Sequence, residues 1–166
     1  MKKELEVFYD LACPYCYQGL MELKRLLEGN EEVYLNYIAC EAHPKPEAAK
    51  MHSDLAAKIV YFLKDNDLDV DRFNFLVYKA YFEKDLSIED KSLLTEFAKM
   101  CGADEESVKE VLNSNMYQDV LDSANLLVWS ELKFAAVPSY RSGDRIVGSS
   151  GGVLVNIDKV AELIEE

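Results

Sequence analysis

The sequence predicts a mixed α/β fold in which a β-α-β unit opens the chain, a β-β-α unit closes it, and an all-helical block is inserted between them. Two short apolar strands flank a helical repeat between Leu5 and Cys40. From about Pro46 to Phe134 the apolar residues keep helical spacing, with almost no strand signal. Strand patterning returns only after Pro138, around a glycine turn.

The first strand is LEVFY, Leu5–Tyr9, a nearly continuous apolar run that suits burial on both faces. Asp10 reads as the residue that ends it. CPYC, Cys13–Cys16, follows, and Pro14 fits the first turn of a helix, where its missing N–H removes no bond. Leu20, Leu23, Leu26 and Leu27 recur at helical spacing, and Gly29–Asn30 stops the helix. VYLNYIAC, Val33–Cys40, alternates as a second strand, so a parallel, right-handed strand–helix–strand unit is expected. HPKP, His43–Pro46, breaks the pattern.

Within the helical block, Met51, Leu55, Ile59, Phe62 and Leu63 mark one helix. Val70, Phe73, Val77, Ala80 and Tyr81 mark the next. Ser87-Ile-Glu-Asp90 reads as a capping-box start, Gly102 ends that helix, and Asp104 caps another. Val120, Ala124, Leu127 and Val128 mark the last helix, which carries Trp129 as core or as contact between the lobes. Ser139–Arg141 and Arg145–Gly148 then flank a hairpin turn at Ser142-Gly143-Asp144. After the SSGG loop, Asn156 caps a final helix with Val160, Leu163 and Ile164 on one side. The expected division places residues 1–44 and 135–166 in one domain and 45–134 in an inserted helical domain.

The chain has 166 residues, of which 49% are apolar, enough for a sizeable core. No apolar run is long enough to cross a bilayer. The start, MKKELEVFYD, contains no secretory signal as written, so a cytoplasmic protein is expected, where structural disulfides are rare. Four cysteines then suggest chemistry or metal rather than stapling. The formal net charge of −13 and the lack of a basic stripe argue against a nucleic-acid partner.

CPYC poses a choice between half a metal site and a dithiol. At the first turn of a helix, Cys13 faces free N–H groups and the positive end of the helix dipole, which favour its thiolate. Cys16 lies one turn on and more buried, placed to release a mixed disulfide by attacking the Cys13 sulfur. A strand, then CxxC, then a helix is the thioredoxin-like context for such a pair.

On these residues the chain resembles the DsbA family of thioredoxin-fold oxidoreductases. CPYC after a buried strand, the helical block after the second strand, and AVPSY at Ala136–Tyr140 carry the resemblance. YDLACPYCYQG and EKDLSIEDKSLLTEFAKMCGAD are most similar to its FrnE-like branch. The resemblance implies thiol–disulfide exchange with a disulfide-containing protein or small thiol, glutathione included, and no bound cofactor. It implies a cis Val137–Pro138 peptide beside the dithiol. Cys13, Cys16 and Pro138 would then be catalytic, and Pro14, Tyr15 and Val137 would contact substrate. The chain departs from the family pattern at Ala136 and Ser139, where glycine and threonine are common. Val7 stands where this fold often buries a proton-relaying acid.

Two other readings compete. Cys40-Glu-Ala-His43 could join Cys13 and Cys16 as a tetrahedral zinc or redox-sensing set, since parallel strands bring their ends to one rim. The related 2-hydroxychromene-2-carboxylate isomerases and kappa-type glutathione transferases resemble this architecture but typically carry serine at the position of Cys13. Cys40 and Cys101 otherwise read as packing residues, and His52 as a helix-surface residue.

Overall fold

The computed structural model describes residues 2–165. The chain opens with β1 (Lys3–Tyr9), α1 (Pro14–Leu26) and β2 (Val33–Ala39). The helices α2 (Asp54–Asp65), α3 (Val70–Tyr78), α4 (Lys91–Met100), α5 (Glu105–Leu112) and α6 (Gln118–Asn125) come next. The hairpin β3 (Ala136–Ser142) and β4 (Arg145–Ser149) and the helix α7 (Ile157–Glu165) close it. Together these elements make the mixed α/β thioredoxin fold, with helices inserted between β2 and β3.

The strands form one four-stranded sheet in the order β2-β1-β3-β4. β1 runs parallel to β2, with Lys3 opposite Val33 and Tyr9 opposite Ala39. β3 returns antiparallel to β1, pairing Val7 with Tyr140 and Phe8 with Ser139. β1 is thus an inner strand, and Leu5, Val7, Phe8 and Tyr9 are fully buried, which is why its sequence is apolar on both faces. α1 and α7 pack together against β3, while α2 and α6 reach β2. The sheet and the inserted helices share one continuous hydrophobic core. Tyr9 donates through its hydroxyl to Asn74 of α3 at 2.8 Å, and Tyr61 of α2 donates to the Ala39 carbonyl at 2.6 Å. Each bond satisfies a polar group that burial would otherwise leave unpaired.

Several element ends differ from the sequence reading, each for a local reason. The first inserted helix begins at Asp54, leaving Met51 and His52 in the preceding irregular segment. The helix after Ser87 is capped by Asp90, whose side chain accepts from the Ser92 and Leu93 N–H groups, while Ser87 closes a separate turn onto Glu89. α3 and α6 do not continue as α-helices. Each widens into a π-helical segment, Lys79–Glu83 and Leu126–Glu131 respectively; such widening has no strong sequence signature. β3 starts before Pro138 rather than after it. The register between β3 and β4 slips between Ala136 and Ser139, and β1 pairs with β3 only from Ser139 onward. Pro138 therefore sits where the ladder asks for no N–H donor.

Other local expectations hold. Asp104 accepts from the Ser107 N–H at 3.0 Å and Asn156 from the Asp158 N–H at 2.8 Å. Gly29, Gly102 and Gly143 all have positive φ at helix ends or the hairpin turn, where glycine carries no steric penalty. Among the described residues no helix is long and apolar enough to cross a membrane.

Candidate functional site

CPYC lies where β1 leaves the sheet and α1 begins. Cys13 is the N-cap of α1, with extended backbone, and Pro14 is its first helical residue. The Cys13 sulfur accepts the Cys16 N–H at 3.3 Å. A cap normally uses a hydroxyl or carboxylate for this donor; here the acceptor is the sulfur itself, and each such bond favours the thiolate. The Cys13 thiol points to the Val137 carbonyl oxygen at 3.8 Å, across 124 positions of sequence. The Val137–Pro138 peptide bond is cis, as is Lys45–Pro46.

The two thiols differ in environment. Cys13 is partly exposed and Cys16 is fully buried; both are free. The Cys16 thiol hydrogen-bonded to the Cys13 sulfur lowers the Cys13 pKa, burial opposes it, and the Cys16 N–H adds to the lowering. Burial pushes Cys16 well up, and its bond to Cys13 raises it further. Burial likewise pushes up Cys40 and Cys101. Thiolate reactivity rises as pH passes the thiol pKa. Alkylation followed by peptide mass mapping is therefore expected to label Cys13 at lower pH than the other three cysteines. Cys16, Cys40 and Cys101 should stay unlabelled where Cys13 first reacts. Equal labelling of Cys13 and Cys40 near neutral pH would contradict this ordering.

Cys13 lines two cavities. One, of about 310 Å³, is lined by Tyr15, Trp129, Ala136 and Val137. The other, of about 380 Å³, is lined by Asp10, Pro14, His43, Lys50, Met51 and Tyr81. Tyr15 is 44% exposed at the mouth of the first. Trp129 joins it from the second π-helical segment, where its indole N–H donates to the Glu41 carbonyl at 2.8 Å. Its place beside Cys13 was not evident from its helical spacing.

The corner that carries Val137 and Pro138 is held by two serines. Ser139 donates to the Ala136 carbonyl at 2.7 Å, and Ser149 donates to the Pro138 carbonyl at 2.6 Å. Ser149 also accepts the Val155 N–H at 3.1 Å, tying the segment after β4 to the same corner. The helix turn after Cys16 is equally close: a Cβ on Gly19 would stand 2.7 Å from Cγ of Pro138. Tyr17 stacks on Tyr78 of α3, with ring centroids 5.1 Å apart, and bonds to Glu83 through its hydroxyl. This stack fixes the inserted helices against the dithiol helix.

The four residues of the zinc alternative do not converge. Cys40 is fully buried and donates to the Tyr9 carbonyl at 3.4 Å, while Cys16 accepts the Asp10 N–H at 3.4 Å. His43 is exposed and pairs with Glu47 at 2.7 Å. Among the described residues no group of three or more His, Cys, Asp and Glu side chains is placed to hold a metal ion.

The family model for the DSBA-like thioredoxin domain matches residues 4–151. The chain belongs to this family. The match spans β1, the dithiol, the inserted helices and the β3–β4 hairpin. The DsbA-like chain is 25% identical to the uncharacterized protein YwbO of Bacillus subtilis, over 92% of each chain. Its fold is similar to that of a probable DsbA oxidoreductase from Streptomyces coelicolor, with TM-score 0.75 and 17% identity, covering 88% of this chain and 83% of that one. It is also similar to Pseudomonas aeruginosa DsbA, with TM-score 0.68 and 18% identity, covering 99% of this chain and 83% of that one.

Proposed function

We propose that the protein is a thiol–disulfide oxidoreductase in which Cys13 attacks and Cys16 resolves. The observation that carries this is the asymmetry of the pair. An accessible sulfur sits at a helix N-cap with a lowered pKa, and a buried thiol with a raised pKa lies one turn behind it. In the reducing direction, the Cys13 thiolate attacks one sulfur of a client disulfide. The S–S bond breaks, a mixed disulfide forms and one client thiolate leaves. Cys16 gives up its proton and attacks the Cys13 sulfur, and the second client thiolate leaves. The client is reduced by two electrons, Cys13–Cys16 becomes a disulfide, and two protons end on the client thiols. Oxidation of a client dithiol is the reverse. The two sulfurs carry the chemistry without a cofactor.

Membership of the DsbA-like family supports clients that are disulfide-containing proteins or small thiols, with glutathione among the small thiols in this reading. In this reading the client chain lies beside the Val137 backbone and Pro138 shapes its groove, while Pro14 and Tyr15 touch it. Residues 45–134, taken as an inserted domain, form the far wall. A cytoplasmic setting belongs to the same proposal and keeps the pair mostly as the dithiol.

Equilibration across glutathione redox buffers, with alkylation and mass analysis, tests the reading. A reversible two-electron transition confined to Cys13 and Cys16 is expected, and its midpoint separates oxidant from reductant. Absence of any transition at these residues would overturn the assignment.

A further inference from the structure

Asp10 reads from sequence as the end of a strand, yet its carboxylate is the most heavily bonded group around the dithiol. It is 5% exposed. One oxygen accepts the Ala12 N–H at 2.9 Å and the Ser53 hydroxyl at 2.6 Å, and the other accepts the Ala42 N–H at 2.9 Å. These donors come from three places: the turn into CPYC, the exit of β2, and the start of α2. The backbone of Asp10 serves the site as well. Its N–H donates to the Cys16 sulfur, and its carbonyl accepts the Cys13 N–H at 3.1 Å and the Tyr78 hydroxyl at 3.0 Å.

Ser53 shows that this arrangement displaces a local preference. It stands at the N-cap of α2, but its side chain makes no cap bond. A serine there ordinarily accepts an N–H of the first helical turn. Here its hydroxyl turns to Asp10, to which it donates, and its oxygen accepts no N–H of the first helical turn. The carboxylate also lies at the positive end of the α2 dipole, which favours negative charge.

Resting on the exchange reading above, we propose that Asp10 is a positioning residue. It latches the dithiol loop to the inserted helices through Ser53 and Ala42, and it sets a carboxylate beside Cys13 and Cys16. Its carboxylate shares the cavity of about 380 Å³ with Cys13. A negative charge in a partly desolvated site disfavours a second anion nearby, and Asp10 acts in that direction on Cys13 and on Cys16. The charge thus opposes the helix N-terminus and the Cys16 donors. A less stable thiolate makes the dithiol a better reductant and a weaker oxidant.

The other titratable groups that act on or face Asp10 are Cys40 and Glu41 at the exit of β2 and Tyr78 on α3. His43, Lys50 and Tyr81 line the same cavity. None of the three donors to the carboxylate is titratable near neutral pH: two are backbone N–H groups and one is a serine hydroxyl.

Asp10→Asn keeps the shape, removes the charge and sets an amide donor against one of the present donors. The Cys13 titration, followed by thiolate absorbance and by alkylation with mass mapping, is expected to move to lower pH. Labelling of Cys13 at a pH below the wild-type midpoint should then rise by about threefold, because the gain in thiolate outweighs its lower nucleophilicity. The glutathione midpoint should become more oxidising. A purely architectural role would lower thermal stability and leave the titration where it was; an unchanged or upward-shifted titration overturns the proposal. If Asp10→Asn does not fold, Ser53→Ala decides. It leaves the charge and removes a donor that offsets it, so the Cys13 titration is expected to move upward, and no shift or a downward one overturns the proposal. The titration can be read whether or not the protein exchanges disulfides. Failure of the Asp10 proposal shows in the pH profile, and failure of the exchange reading shows in the glutathione equilibrium.

Discussion

Cys13→Ser is expected to lower turnover on a model disulfide by about a thousandfold or more, on the scale seen when a nucleophile is removed. A serine hydroxyl stays protonated at any working pH and forms no S–S bond, so no mixed disulfide can begin the cycle. The fold should not suffer. Serine is among the preferred N-cap residues, and its oxygen can accept the Cys16 N–H that the sulfur accepts now. A variant that is inactive yet melts at or above the wild-type temperature would separate chemistry from stability. Retained turnover would refute the assignment of the nucleophile. Cys16→Ser gives a different loss. Its first attack is intact, so the variant should accumulate a Cys13–client adduct visible by intact mass; a variant that cycles freely would remove the resolving role.

Gly19→Ala is expected to destabilise the fold by about 1–2 kcal/mol and to slow exchange. In an exposed helix the same change would stabilise by up to about 1 kcal/mol, since alanine is the better helix former. Here the new Cβ would meet Cγ of Pro138 at 2.7 Å, Cδ1 of Leu154 at 3.3 Å and the Tyr140 hydroxyl oxygen at 3.3 Å. The proline ring cannot rotate away and Tyr140 is buried, so α1 or the Pro138 corner must shift. Overpacking of this kind typically costs about 1–3 kcal/mol, which outweighs the helix gain. The shift would part Val137 and Pro138 from Cys13, and turnover should fall with stability. Urea unfolding and turnover of the same variant check both effects. For a chain of this length Tm should fall by about 2–4 °C per kcal/mol. A rise in Tm would show that the contact is slack.

Much of the fold was legible because its signals are local. The doubly buried run at Leu5–Tyr9, Pro14 at the first helical position, the glycine after α1 and the Ser142–Asp144 turn each follow from neighbours within a few positions. Asp104 and Asn156 cap the helices that their sequence context assigns to them. The errors at Ser87 and Pro138 are also local in kind. Asp90 is a stronger competitor for the same helix start, and a register slip lets a proline enter a strand. The two π-helical segments leave no residue-type signature in the sequence, and the change of face that each wide turn imposes falls within one turn, too short for a pattern to show it.

The placement of the two sulfurs was written within Cys13–Cys16, since one helical turn sets both their spacing and the donors that face Cys13. What surrounds those sulfurs was not. Val137 reaches Cys13 only because β3 pairs antiparallel with β1 in the interior of the sheet. Trp129 reaches the same cavity only because a π-helical segment turns it there. Asp10 looked like a strand end, and Ser53 like any residue before a helix. Their bond joins positions 43 apart, and no periodicity or cap rule spans that distance. Local backbone preferences thus place the two sulfurs. The charges, walls and packing limits that tune them come from long-range pairing, which burial of a shared core selects.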